Sequence, residues 1–242
     1  MTRLDGPARG ATIVLAGHPV PKGAGFRPAT TPLAAALAGE PGVGRVIEVD
    51  ATDGSAIVRA IGQSRGARVV VPVLMNEGAT FDIVRRAAHS GRRGRIRLCL
   101  PLGTARAVAD IGLALALKTC REAGWRARDV TVVCVGHGAA RDPRAQRSTL
   151  DHAARIRRPR VFRGVMAAFI EAEPSFAATL ASVRGRTVVV AFFLGRGRHV
   201  VEDVGAVVGR AGANVRYAGS IGEDRALETI VRRKVRAALR RG

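Results

Sequence analysis

The sequence predicts an α/β protein built as two parallel-sheet lobes related by internal duplication, with a cleft between them. Three observations carry that prediction. The chain repeats itself at a spacing of about 119 residues. Ile13-Val-Leu-Ala-Gly-His18 lies over Val132-Val-Cys-Val-Gly-His137, Val69–Leu74 over Val188–Leu194 with one residue more, and Leu100–Gly103 over Gly219–Gly222. Short β-branched runs alternate with helix-compatible segments in both copies, the pattern of strand–helix–strand units. Apolar residues make up 47% of the chain but aromatics only 4%, and a core of Val, Ala, Leu and Ile suits parallel sheets covered by helices.

In the first copy, Ala11–Gly17, Arg45–Val49, Ala67–Leu74 and Ile96–Leu102 are strand-like runs ended by Gly, Pro or polar residues. Pro32–Ala38, Ser55–Gly62 and Ala79–Ala88 are helix-compatible. Thr104–Ala123 is a longer helix with Val108, Ile111 and Leu115 on one face, stopped by Gly124. The second copy repeats the plan, with strands at Val130–Val135, Val161–Phe169, Thr187–Leu194 and Ala213–Ala218. Its helices are Pro143–Ile156, Pro174–Val183, Val200–Ala211 and Glu223–Leu239. Pro174 stands where a first-turn proline opens a helix. Acids at Glu223 and Asp224, with arginines toward Arg241, suit the dipole of the last helix. The expected domains are 1–124 and 125–242, joined by the short segment Gly124–Asp129.

The formal charge of +21 raises the question of a nucleic-acid partner. Composition argues against one. Lys22, Lys118 and Lys234 are the only lysines, so the excess is arginine in an Ala- and Gly-rich chain, as GC-rich codon usage gives. One Trp and one Tyr offer no stacking platform for single strands. An arginine-rich cleft does attract polycarboxylate ligands. Cys99, Cys120 and Cys134 are odd in number, without a C-x-x-C pair, and read as buried thiols of a reducing compartment. Met1-Thr-Arg-Leu-Asp-Gly-Pro has no signal-peptide pattern, and no apolar run is long enough to span a bilayer. The expectation is a cytoplasmic protein, with no membrane partner and its oligomeric state left open.

Function resides in an asymmetry between the copies. In open parallel sheets ligands bind beyond the carboxyl ends of the strands. His137 follows the first strand of the second copy, Glu171 the second and His199 the third. Their counterparts in the first copy read as His18, then Ala51, then Ala79 or Thr80. Taken singly, each residue has a plain structural reading. A lone His after a strand is usually a polar cap, Glu171 and Glu173 favour the start of a following helix, and His199 lies in a basic loop beside Arg196 and Arg198. Three such residues at matching strand ends, two of them missing from the other copy, favour the functional reading. Two imidazoles and a carboxylate suit a divalent first-row metal with open positions. They equally suit proton abstraction by an imidazole whose tautomer a carboxylate fixes. Glu173 could replace Glu171, and Glu202 or Asp203 could orient His199. His18 reads as an auxiliary contact, His89 and His152 as surface residues.

At these residues the sequence resembles the class II tetrapyrrole chelatases, in particular the sirohydrochlorin cobaltochelatase and ferrochelatase family. Gly136-His137-Gly138 followed by Arg141-Asp142-Pro143 resembles its opening motif, with one extra alanine. Phe169-Ile-Glu171-Ala-Glu-Pro174-Ser175 resembles the second, and Phe193-Leu194-Gly-Arg-Gly197-Arg-His199-Val the third. The resemblance implies flavodoxin-like lobes and insertion of Co²⁺ or Fe²⁺ into sirohydrochlorin or a related tetrapyrrole, for cobalamin or siroheme. His137 and His199 would be catalytic and hold the metal, Glu171 being their acidic partner. Arg141, Arg196, Arg198 and His18 would contact the carboxylates of the macrocycle. The metal is then a substrate, and no organic cofactor is implied. The alternative is a carrier of the same fold that binds metal or tetrapyrrole without turnover.

Overall fold

The computed structural model describes residues 3–5, 10–18, 29–64, 66–90, 96–194 and 199–240. The chain divides into two compact units, Met1–Ala105 with Arg225–Gly242, and Arg106–Asp224.

In the first unit the β-branched runs become β2 (Ala11–Gly17), β3 (Val43–Asp50), β4 (Arg68–Val73) and β5 (Ile96–Leu98), preceded by the short β1 (Arg3–Asp5). The sheet order is β1-β3-β2-β4-β5, parallel except for β1, which pairs antiparallel with β3 through Leu4 opposite Val46. β2 is buried along its whole length, as a central strand covered on both faces must be. The helices are α1 (Thr30–Ala38), α2 (Gly54–Gly62) and α3 (Ala79–Ser90). Asp53 caps α2, its carboxylate accepting from Ala56 N–H at 2.9 Å. The Ser55 hydroxyl, donating to the same carboxylate at 2.6 Å, and then the Ala56 N–H hold its carboxyl below the usual range.

The second unit opens with α4 (Ala107–Glu122), followed by β6 (Thr131–Gly136), α5 (Arg144–Arg157), β7 (Gly164–Phe169), α6 (Phe176–Ser182) and β8 (Thr187–Ala191). A π-helical turn, His199–Val204, leads into α7 (Gly205–Arg210) and β9 (Val215–Ser220). The four strands are parallel in the order β7-β6-β8-β9. One core layer joins Val133, Val135, Ala168, Val189 and Ala191 to Phe176, Leu180 and Val204.

Several backbone hydrogen bonds repeat at an offset of 119 residues. Thr12 N–H donates to Ala67 and Thr131 N–H to Arg186; Gly103 N–H donates to Leu74 and Gly222 N–H to Phe193. Leu74 therefore corresponds to Phe193, and the extra residue read between Val188 and Leu194 is not an insertion. Gly103 and Gly222 occupy the same corner. A Cβ on either would collide with strand-end backbone, of Met75 in one copy and Leu194 in the other.

The units do not follow the sequence halves 1–124 and 125–242. Helix α4, which closes the first copy, packs on β8, β9 and α5; α8 (Ala226–Arg240), which closes the second, packs on α1 and β4. Gly112 lets α4 approach, since a Cβ there would sit 2.9 Å from the Phe192 ring and 3.0 Å from Ile156. On the other unit, Glu40 is buried and pairs with Arg236 and, at 3.8 Å, with Arg232. Arg232 Nε also donates to the Ala36 carbonyl at 3.0 Å. The amphipathic pattern announces a helix but not which sheet it covers. β1 was not expected, because Arg-Leu-Asp has no apolar run.

Substitution at the shared corner tests this packing. Gly222→Ala is expected to cost about 3 kcal/mol in chemical denaturation, at the upper end of overpacking effects. Gly39→Ala, whose Cβ meets nothing within 4 Å, serves as the neutral control.

Candidate active site

β6 delivers His137 to the carboxyl edge of its sheet, and β7 delivers Glu171 beside it. The two segments are stitched through backbone. His137 C=O accepts from Glu171 N–H at 2.8 Å and from Ile170 N–H at 3.1 Å, and Gly136 C=O also accepts from Ile170. His137 Nε2 then lies 3.7 Å from Glu171 Oε1. Both side chains are accessible, His137 at 39% and Glu171 at 54%. An ion pair this exposed contributes at most about 1 kcal/mol, so the fold does not depend on it.

The turn itself dictates the protonation pattern. Gly138 has φ +73°, and a Cβ there would fall 2.8 Å from Ala172 and 2.9 Å from Phe169. This fold-back brings Gly138 C=O to 2.8 Å from His137 Nδ1. A carbonyl only accepts, so Nδ1 carries the proton and the neutral ring has its lone pair on Nε2, the nitrogen nearer Glu171. That carbonyl was missed in the sequence reading, although the glycine after the histidine is its signal.

The two acids also part company here. Glu173 Oε2 accepts from Ser175 N–H at 2.7 Å, while Glu171 faces the imidazole. Residues 173–175 run beside β7, where Pro174 C=O accepts from Phe169 N–H at 3.0 Å. Pro174 therefore ends up ahead of the N-cap Ser175 rather than inside α6, which starts at Phe176.

Arg141 is exposed on the loop after His137, next to Asp142, whose carboxylate is held by the Arg144 guanidinium at 2.8 and 2.9 Å. His18 is exposed at the equivalent position of the first unit, just past β2. The backbone of His199 begins the π-helical turn; its side chain, with Arg196 and Arg198, lies outside the described residues. Among the described residues no three of His, Cys, Asp and Glu are grouped to hold a metal. The first-copy counterpart of Glu171 is Thr52 rather than Ala51. Ala51 N–H donates to Gly17 as Ile170 N–H does to Gly136, which fixes the register one residue further on. Asp50 holds the Thr52 hydroxyl and N–H, both at 2.7 Å. His89 is exposed, as expected; His152 is buried, stacked on Phe192 at 5.4 Å, because α5 turns that face inward, toward the residue just past β8.

Residues 131–238 match the CbiX family model. The match covers most of the second copy. The resemblance to class II chelatases read in the motifs is borne out, and the two-lobed α/β fold is that of solved chelatases. One is a CbiX described as the terminal enzyme for siroheme biosynthesis in denitrifying bacteria, with TM-score 0.76 and 23% identity over 95% of this chain and 99% of that one. SirB from Bacillus subtilis with Fe³⁺ gives TM-score 0.76 and 18% identity, covering 95% of each chain. The sirohydrochlorin chelatase SirB from Bacillus subtilis subspecies spizizenii, in complex with cobalt, gives 0.71 and 17%, again over 95% of each. No curated protein matches this sequence. Both His137 and Glu171 lie within the CbiX segment. Among the described residues no helix is long and apolar enough to cross a membrane.

Cys134, in the strand that carries His137, is fully buried, and burial pushes its thiol up to about 12. The unfolded chain loses this proton near the ordinary thiol value of about 8.5 while the folded chain keeps it. Stability is therefore expected to fall as pH rises from about 9 toward 12, by up to about 1.4 kcal/mol per unit. Cys134→Val should flatten that slope in denaturation curves taken across the range.

Proposed function

We propose that this protein inserts a divalent metal, Co²⁺ or Fe²⁺, into sirohydrochlorin or a closely related tetrapyrrole. The observation that carries the reading is the His137–Glu171 pair at the strand edge, inside the segment that matches CbiX. The fold shared with a SirB holding Fe³⁺ and one in complex with cobalt supports the metal class.

Metal insertion replaces two pyrrole N–H protons by one M²⁺, so the protein must accept protons and release a cation in the same place. A neutral His137 with its lone pair on Nε2 can take the first proton or hold the incoming metal, and uses the same electron pair for either. The Gly138 carbonyl keeps Nδ1 protonated, so the ring presents one nitrogen consistently. Glu171, 3.7 Å away, stabilises the imidazolium that forms and balances the cation before transfer. His199 supplies the second imidazole in this scheme, following the third strand. Arg196 and Arg198, just before it in the sequence, offer with Arg141 guanidinium groups to the carboxylates of the macrocycle. An imidazole and a carboxylate are borderline ligands suited to first-row metals, and they let go of a metal more readily than thiolates do. That suits a substrate in transit.

The test is anaerobic metallation of sirohydrochlorin, followed by its absorbance change above the uncatalysed rate with each metal. His137→Ala and His199→Ala should each lower kcat at least about 100-fold, the scale of a lost acid–base group. Glu171→Gln should lower it less, while circular dichroism stays unchanged. Near-normal rates in both histidine variants would sink the assignment. Stoichiometric metal binding without metallation would favour the carrier.

A further inference from the structure

The opposite edge of the second sheet is built differently. Because all four strands are parallel, the loops that precede them meet at the amino edge, away from His137 and Glu171. These loops are joined by backbone bonds: Arg163 N–H to Val130 at 2.9 Å, Thr131 N–H to Arg186 at 2.9 Å, and Thr187 N–H to Asn214 at 2.8 Å. Residues 125–130, 158–163, 184–186 and 210–216 contain nine arginines, all exposed, against a single acid, Asp129. The whole chain has 40 basic residues to 19 acidic ones. A ratio of nine to one on one edge, against about two to one overall, is not the even spread that codon usage would leave.

The edge is also ordered. Trp125, the only tryptophan, lies under two guanidinium groups, Arg186 at 5.7 Å and Arg216 at 5.2 Å from its ring. Stacking costs a guanidinium rotamer freedom but not its in-plane donors; Arg216 Nη1 donates to the Ala213 and Val215 carbonyls at 2.7 and 3.0 Å, which fixes the group further and leaves its other N–H donors for an anion. Arg163 Nη1 donates to the Arg184 carbonyl at 3.4 Å, which links two of the loops.

Charge density selects the partner. Four strands at about 4.8 Å spacing make an edge roughly 15 Å long. Duplex nucleic acid carries one negative charge per about 1.7 Å, or about nine over that length. Protein surfaces intersperse both signs and rarely reach that density. Of the two aromatic rings in these loops Phe162 is buried and Trp125 is already covered by guanidinium groups, which leaves backbone contacts without base stacking.

We propose that this arginine edge binds the phosphate backbone of duplex nucleic acid without reading its sequence. The probe is a fluorescein-labelled 20-base-pair DNA duplex of random sequence, titrated with the full chain by anisotropy at several salt concentrations. Two variants each remove four charges. One carries Arg126→Gln, Arg128→Gln, Arg158→Gln and Arg184→Gln; the other carries Arg59→Gln, Arg86→Gln, Arg233→Gln and Arg240→Gln, all exposed and all in the other compact unit. The expected result is that the edge variant loses about 100-fold or more in affinity and that its log–log salt slope falls by about 3. The matched variant should change little, and a second duplex sequence should bind equally. Equal losses in the two variants would show attraction to net charge alone and overturn the proposal. So would no binding by the parent chain, or tighter binding to polyglutamate or to phosphatidylserine vesicles than to the duplex. Metallation is measured on the same variants and is expected to be unaffected, so either reading can fail without the other.

Discussion

A parallel sheet is stable only when both its faces are covered, and neither copy of this duplicated chain covers its own. Helix α4 closes the first copy in sequence but packs on β8 and β9; α8 closes the second but packs on α1 and β4. Each compact unit is therefore completed by a helix from the other half. The contacts are specific on both sides. Gly112 admits Phe192 and Ile156 against α4, and the buried Glu40 carboxylate pairs with Arg232 and Arg236 on α8. At the positions 119 residues earlier, Arg232 and Arg236 are replaced by Leu113 and Leu117. Both helices bury an apolar face, with Val108 and Ala116 on α4 and Val231 and Val235 on α8, and α8 alone adds a charged contact through Glu40.

Around that frame the duplication has been kept in the backbone and lost in the side chains. The corner hydrogen bonds of Gly103 and Gly222 superpose at the 119-residue offset, as do those of Ala51 and Ile170. At the same offset Glu171 becomes Thr52, which is tied to Asp50 instead of facing an imidazole. Strand and corner geometry is under packing constraint in both units, because a displaced β-branched run would expose the core. Side chains beyond the strand ends carry no such constraint. One copy could therefore lose its carboxylate while the other kept a histidine and an acid in register.

Much of this was legible in the sequence. Runs such as Val188-Val-Val mark buried strands because β-branched residues fit a pleated, doubly covered surface. The Gly-His-Gly and Glu-Ala-Glu-Pro-Ser segments stand out as the candidate site because they follow those runs. The illegible features have physical reasons. β1 is three residues, Arg-Leu-Asp, held by pairing with β3 and not by its own pattern. His152 sits among polar and basic residues of α5, yet the turn of the helix buries it on Phe192. The choice between Glu171 and Glu173 depended on Ser175 N–H occupying the latter, which only the path of the chain beside β7 decides.

The same topology also separates charge from chemistry. β6 runs six residues from Thr131 to Gly136, with the arginine loops before it and His137 after it. At about 3.3 Å per residue the two edges lie roughly 20 Å apart, about twice the screening length in physiological salt. The arginine field is therefore largely screened at the histidine. A strongly basic chain can thus keep a neutral imidazole and a carboxylate working together, because the strand length holds the excess charge at a distance. The arginines that follow the strands, Arg141, Arg196 and Arg198, are the ones proposed to meet the macrocycle's carboxylates, and the nine at the amino edge are kept away from Glu171. In a parallel sheet the two kinds of loop cannot mix, so the topology itself supplies that separation.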